Sequence, residues 1–359
     1  MQPGVLEMSG SKRGARDIST GSPRAFNYRV IASDMDGTFL ARDHSVPERN
    51  IQAVLECIRR GILFLPATGK SRAGAMASVG PLASLLTSND SHGAPGVYIQ
   101  GLVVYGLRGE LVYQQTLPRE TARELVRVQR ELRFGALVAY SGDRIVCEER
   151  NTYTERLVPY HEPEPDDSHG EAWERLLERP EHEFPIHKML FVDSVERIRE
   201  LRPLVEEAVG QATPSISPSN GEFSTTTLDR TRPPLNAPSN QIGEHTSSPV
   251  SRQHLVQHTS HGRCVQACPD MLEVLPANAN KGDGLRRLLE HLGIRAEEVV
   301  AIGDAENDIE MIRYAGLGIA VGNALPILKD AADVVLDVTN DDAAVAAAVE
   351  RFFLIHSTT

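Results

Sequence analysis

Apolar positions fall into two separate trains of strand and helix patterns, one near each end of the chain. Near the N-terminus the run YRVIAS at 28–33 is short, apolar and stopped by an acidic loop, which predicts a buried strand. Ser45 to Glu48 has the form of a capping box and predicts a helix start, with Ile51, Leu55 and Ile58 as the buried stripe and Gly61 as the stop. ILFLPAT then predicts a second buried strand that ends in a polar loop at Thr68. Strand, helix, strand in this order is the βαβ pattern of a parallel sheet. The alternation returns at Lys281, where a helix with Leu285, Leu288, Leu289 and Leu292 on one face is closed by Gly293. VVAIG, IEMIRYA, GLGIAV, ILKDAA and DVVLD continue it as strand, helix, strand, helical turn and strand, and a last helix carries Val345, Val349 and Phe352.

These trains predict an α/β fold whose core is one doubly wound parallel sheet, built from 27–115 and 276–359 and split by an inserted α/β unit at 116–275. Within the insertion PRETARELVRVQRELRFG reads as a helix, ALVAYSGDRIVCEE as a hairpin, and KMLFVDS with VERIRELRPLVEEAV as strand then helix. From 211 to 262 the composition turns to Ser, Thr, Pro, Asn, Gln and His with no apolar period, so a disordered insertion is expected there. Residues 1–26 carry Lys, Arg, Ser and Gly with little apolar pattern and read as a flexible tail, with a transit-peptide remnant as the other reading.

Composition narrows the function classes. At 359 residues two domains are affordable, and 41% hydrophobic with 24% charged residues is the balance of an ordinary globular chain rather than a disordered one. A net charge of -12 argues against a nucleic-acid partner, which needs a basic surface, but leaves room for a small anion held in a locally positive cleft. No apolar run approaches the roughly 18 residues of a membrane helix. The four cysteines, Cys57, Cys147, Cys264 and Cys268, are too few and scattered for a disulfide scaffold, so a reducing compartment is expected.

The candidate chemistry sits at predicted strand ends. Asp34-Met35-Asp36-Gly37-Thr38 follows the first strand, and Gly37 lets the chain turn away while both carboxylates stay at the strand end. Taken alone, Asp-Gly is also a common turn. Thr68-Gly69-Lys70 offers a hydroxyl, a backbone N–H and a cation, the donors a phosphate oxygen accepts from. It is not a P-loop, because no glycine stands at the required spacing before Gly69 and Pro66 intrudes. Lys281 opens a helix, where an ammonium beside the positive helix end suits a dianion, although a solvated lysine fits the same place. Gly303-Asp304-Ala305-Glu306-Asn307-Asp308 follows a strand and puts Asp304 level with Asp34, while Asp308 alone could be a helix cap.

In this order, each at a strand end, these four segments resemble the haloacid dehalogenase (HAD) superfamily. The resemblance covers residues 27–115 and 265–355 closely, and the insertion more loosely as the large α/β cap of that superfamily. Within it the chain looks like the Cof-type phosphatases, and ATGKSR, QGLVVYG, DMLEVLP and GDAENDIEMI are similar to a plant and algal plastid branch. The resemblance implies a Rossmann-like core and a phosphatase in which Asp34 is the nucleophile that becomes an aspartyl-phosphate and Asp36 is the acid and base. It implies Mg²⁺ held by the carboxylates of Asp34 and Asp304 and the backbone carbonyl of Asp36, with water completing the octahedron. It also implies phosphoryl contacts from Thr68, the Gly69 N–H, Lys281 and Asn307, with Asp308 behind them supporting metal waters or Lys281. Lys70 stands where the superfamily often has Arg. The expected partner is a small phosphorylated metabolite, a sugar phosphate first and a cofactor such as flavin mononucleotide or pyridoxal phosphate second, and the expected compartment is the chloroplast or the cytosol.

Other readings compete. A phosphomutase would use the same aspartyl-phosphate, and a silent binding or regulatory protein would keep the fold, although it has no chemical need for Asp34, Asp36, Lys281 and Asp304. His254, His258, His261, Cys264 and Cys268 invite a zinc reading, against which stands the lack of a tetrahedral ligand pattern. Trp173 and Tyr160 could stack on a substrate ring but read better as core, and Lys188 reads better as an ordinary strand-start charge than as a cleft residue.

Overall fold

The computed structural model describes residues 28–87, 93–167, 172–210, 262–266 and 268–354. The tail at 1–26 and the insertion at 211–261, with His254, His258 and His261, lie outside the described residues.

The first run is strand β1 (Val30–Ser33), followed by helix α1 (Glu48–Arg59), strand β2 (Leu63–Pro66), and helices α2 (Arg72–Ser78) and α3 (Ala83–Leu86). Strands β3 (Gly96–Tyr98), β4 (Val103–Tyr105) and β5 (Leu111–Gln114) form an antiparallel three-stranded sheet before the chain enters the insertion. The insertion runs through α4 (Arg119–Leu132), β6 (Ala136–Ser141), β7 (Arg144–Cys147), α5 (Trp173–Glu178), β8 (Lys188–Val192), α6 (Val195–Ala208), β9 (Arg263–Val265) and β10 (Met271–Leu275). The chain then returns with α7 (Lys281–Leu292), β11 (Val299–Gly303), α8 (Ile309–Tyr314), β12 (Leu317–Ala320), α9 (Pro326–Lys329), β13 (Val334–Val335) and α10 (Ala344–Val349).

The main sheet is parallel and ordered β13-β12-β11-β1-β2. Its central strands β1 and β11 are buried along their whole length, which is why they read as unbroken apolar runs instead of alternating ones. Ser33 pairs with Ile302 on one side and Pro66 on the other, so the three neighbouring strands release their loops at one level. Strand order reverses at β1, and the crevice above such a switch point is where ligands of open α/β sheets bind.

The second sheet, β7-β6-β8-β10-β9, is antiparallel and two-faced. Along β6, Leu137 and Ala139 join a core with Trp173, Phe191 and Ile198 under α4, α5 and α6, while Val138 and Tyr140 face the opposite way with Leu190 and Met271. That opposite face is continuous with the core of the main sheet. The arrangement is an α/β core built on the parallel sheet, with an additional α/β cap.

Two local expectations are corrected. Helix α1 starts at Glu48 with Pro47 at its N-cap and no side-chain cap bond, so Ser45 to Glu48 is not a capping box. Ser45 Oγ donates to Asp43 instead, and the residue before Pro47 is disfavoured from helical geometry. The centre of the buried face is Asn50, Ala53, Val54 and Cys57, with Ile51, Leu55 and Ile58 only partly buried beside it. Asn50 tolerates that position because its amide donates to Phe39 O and accepts from Ala346 N. Gly61 and Gly293 do end their helices in left-handed geometry, at φ 74° and 65°.

Candidate active site

Three carboxylates and one ammonium meet where β1 and β11 end. Asp34, almost fully buried, accepts from Lys281 Nζ at 2.6 Å across 247 residues of sequence. The same Nζ donates to Asp308 Oδ1 at 2.8 Å. Asp308 Oδ2 accepts from the backbone N–H groups of Asp304 and Ala305, at 3.0 and 3.1 Å. Both oxygens of Asp308 are therefore engaged in holding Lys281 and the loop. Asp304 accepts from Thr38 Oγ1 at 2.8 Å, which ties the two acidic loops together. Gly37 is required twice, by its φ of 79° and because a Cβ there would come within 2.5 Å of Asp304 Oδ2.

The charges are unbalanced. Burial and the neighbouring Asp308 push the Asp34 carboxyl well above the usual range, with Lys281 pulling the other way. Burial, then Asp308, raises Asp304 to about 6. Burial alone would lower the Lys281 ammonium, but Asp308 and Asp34 outweigh it and hold it charged. Ligand oxygens of Asp34, Asp304 and Asp308 lie within 4.8 Å of one another. An all-oxygen set with excess negative charge fits a hard divalent cation such as Mg²⁺. The saturated bonding of Asp308 leaves Asp34 and Asp304 as the carboxylates free to turn to it.

Asp36 lies across the cleft, about a third exposed, between His44 Nδ1 at 3.2 Å and Lys70 Nζ at 3.1 Å. Burial would raise its carboxyl, but the His44 and Lys70 bonds prevail and lower it. Thr68 is buried, with its hydroxyl accepting from Lys70 N–H at 3.1 Å. Asn307 Nδ2 donates to Gln100 Oε1 at 3.0 Å. Asp34, Asp36, Thr68, Gly69, Asp304 and Asn307 all line one pocket, while Lys281 and Asp308 are buried behind it.

The cap supplies the far wall of this pocket, including Tyr140, Tyr160, Leu190, Met271, Lys188 and Glu273. The expectation for Lys188 is overturned. It is 2% exposed, sits 4.2 Å over the Tyr140 ring, and donates to Gly69 O at 2.9 Å and Glu273 Oε1 at 2.8 Å. Trp173 is core, as expected, whereas Tyr160 is half-buried and lines the pocket. Cys264 is buried in the cap core and Cys268 lies at the pocket, in two different surroundings. Glu162 is a further residue that sequence reading missed, a buried carboxylate that accepts from Ser71 N–H at 3.1 Å and Ser71 Oγ at 2.6 Å. Gln100 was missed as well. It and Ile99 hold left-handed backbone at φ 60° and 50°, costing roughly 1–2 kcal/mol each, and strain of that kind gathers at functional sites.

Known proteins resemble this chain in sequence and in fold. The chain is 33% identical over 330 residues to the chloroplastic endoribonuclease YBEY of Arabidopsis thaliana, with 90% of this chain and 46% of that protein aligned. It thus spans less than half the length of that relative. It is 28% identical over 305 residues to the HMP-PP phosphatase of Serratia proteamaculans, covering 84% of this chain and 86% of the relative. The fold matches a HAD/COF-like hydrolase from Plasmodium vivax with a TM-score of 0.68 at 22% identity, over 92% of this chain and 97% of the other. The model of the haloacid dehalogenase-like hydrolases matches residues 31–228 and 240–349, a span that includes Asp34, Lys281 and Asp304 together. Sequence and fold agree with the geometry at the strand ends, and the chain belongs to the haloacid dehalogenase-like hydrolase family.

Proposed function

We propose that the protein is a Mg²⁺-dependent phosphatase that hydrolyses a small phosphorylated metabolite through an aspartyl-phosphate on Asp34. The observation that carries this reading is the contact of Lys281 Nζ with both Asp34 and Asp308, which keeps a cation beside the carboxylate that attacks phosphorus. The Asp34 and Asp304 carboxylates and the Asp36 carbonyl would hold Mg²⁺, which would supply charge neutralisation to the nucleophile and the transferring group. Thr68, the Gly69 N–H and Lys281 bind the phosphoryl oxygens. In the first step Asp34 forms a bond to phosphorus as the ester P–O bond breaks, and protonated Asp36 gives its proton to the leaving oxygen. In the second step the Asp36 carboxylate takes a proton from the attacking water, which frees inorganic phosphate and regenerates Asp34.

Apolar and aromatic residues on the cap wall, Tyr140, Tyr160, Leu190 and Met271, support a leaving group that carries a ring, in a sugar phosphate or a phosphorylated cofactor. The plastid-like wording of the motifs and the chloroplastic relative favour the chloroplast. Among the described residues no helix is long and apolar enough to cross a membrane. Phosphate release is to be measured with and without Mg²⁺ over sugar phosphates, flavin mononucleotide, pyridoxal phosphate and HMP-PP, beside Asp34→Asn. The expected result is Mg²⁺-dependent release by the parent and none by the variant. Equal release by both would overturn the role of Asp34.

A further inference from the structure

Four side chains form one unbroken hydrogen-bond chain from the cap to the acidic loop of the core. Lys188 Nζ donates to Glu273 Oε1 at 2.8 Å, Gln100 Nε2 donates to Glu273 Oε2 at 2.9 Å, and Asn307 Nδ2 donates to Gln100 Oε1 at 3.0 Å. Lys188 and Glu273 belong to the cap strands β8 and β10, whereas Gln100 and Asn307 belong to the core. The direction of the chain is set at its cap end. Lysine can only donate and an ionised glutamate can only accept, so Gln100 must turn its NH₂ to Glu273 and its oxygen to Asn307. That in turn fixes the Asn307 amide with its NH₂ toward Gln100. The segment is also wedged in place. A Cβ on Gly69 would come within 2.5 Å of Gln100 Nε2, and one on Gly101 within 2.2 Å of Asn280 O, next to Lys281. The left-handed backbone of Ile99 and Gln100 is thus held by the loops that carry Gly69 and Lys281.

We propose that Gln100 is a positioning residue that sets the Asn307 amide according to the docking of the Lys188–Glu273 pair of the cap, so that the phosphoryl site is complete only when the cap is seated. The inference deepens the phosphatase reading and rests on it for its kinetic arm. Gln100→Met keeps length and volume but removes both hydrogen bonds. With p-nitrophenyl phosphate and Mg²⁺, kcat of Q100M is expected to fall about tenfold with KM within about threefold. In an Asn307→Ala background the same change is expected to cost less than about twofold, because Gln100 acts through Asn307. A further loss of about tenfold in that background, or none in the parent, would overturn the proposal. Glu273→Gln gives a second path if Q100M does not fold, since Lys188 then claims the amide oxygen and the NH₂ faces Gln100, which reverses the chain, and its loss too must vanish in the Asn307→Ala background. The side-chain NH₂ resonance of Asn307, identified by its absence in Asn307→Ala, is expected to shift in both variants. That shift is read without turnover, so an inactive parent would sink the phosphatase reading alone, and an unmoved resonance would sink this one.

Discussion

Asp304→Asn removes a residue of the cation site and is nevertheless expected to stabilise the metal-free protein. The carboxyl of Asp304 ordinarily titrates near 3.8, and burial with Asp308 beside it raises this to about 6. The folded state therefore binds this proton more tightly than the unfolded chain. The associated stability is fully present below pH 3.8 and is lost as pH rises through about 6. That interval corresponds to about 3 kcal/mol, an upper figure because the neighbouring carboxylates titrate together. Asparagine is neutral and still offers an oxygen to Thr38 Oγ1, the partner of Asp304 Oδ1. In EDTA at pH 7.5 the Asn variant should melt above the parent by up to roughly 10 °C, whereas at about pH 3.5, below both titrations, the two should melt together. Adding Mg²⁺ should raise the parent and not the variant, and more at pH 7.5 than at pH 5, because protons compete for the same oxygens. Thermal unfolding followed by circular dichroism in the four conditions is sufficient. A variant less stable than the parent in EDTA at pH 7.5 would refute the idea that uncompensated charge gathers at this site.

Lys281→Met should lower kcat by roughly 10²–10³ on the best substrate of the panel, because it removes the cation between Asp34 and Asp308; a loss under tenfold would count against it. His44→Ala should raise the Asp36 carboxyl, which His44 and Lys70 now lower, and, because Asp36 acts protonated in the first step, move the descending limb of the kcat/KM profile to higher pH. An unmoved limb would separate His44 from the acid and base work. Trp173→Ala should destabilise the cap by about 3–5 kcal/mol in calorimetry, since the indole is 1% exposed within the core of the cap.

The catalytic half of this molecule was legible in sequence because each of its pieces is local. A buried parallel strand is a short apolar run, its end is marked by the first polar residues, and the candidate site residues Asp34, Thr68 and Asp304 stand there. What escaped depended on contacts between distant segments. Asn50 reads as a polar residue on a solvent face, and only its bonds to Phe39 O and Ala346 N make it the middle of the buried face of α1. Lys188 and Glu273 are single charges at the start of KMLFV and inside MLEVL, strands buried along their length. A lone charge in such a run signals a buried partner, but the partner is named only by the antiparallel register, which pairs Glu273 with Leu190 and brings Lys188 alongside.

The two walls of the pocket manage charge in opposite ways, and the difference explains how a cap can close over an acidic centre. Desolvating an unpaired ion costs several kcal/mol, so a wall that moves against the core favours charges already matched. The cap does this by pairing Lys188 with Glu273, while Glu162 goes to the Ser71 hydroxyl and N–H. The core keeps its imbalance, with Asp34, Asp304 and Asp308 around the single ammonium of Lys281. Three carboxylates against one ammonium leave a deficit of two charges, which a divalent cation would neutralise. A site of this charge would repel a dianion that arrives without the cation, whereas the cap contributes shape and hydrogen bonds at little electrostatic cost. Specificity can therefore change on the cap wall without disturbing the charge balance on which phosphoryl transfer depends.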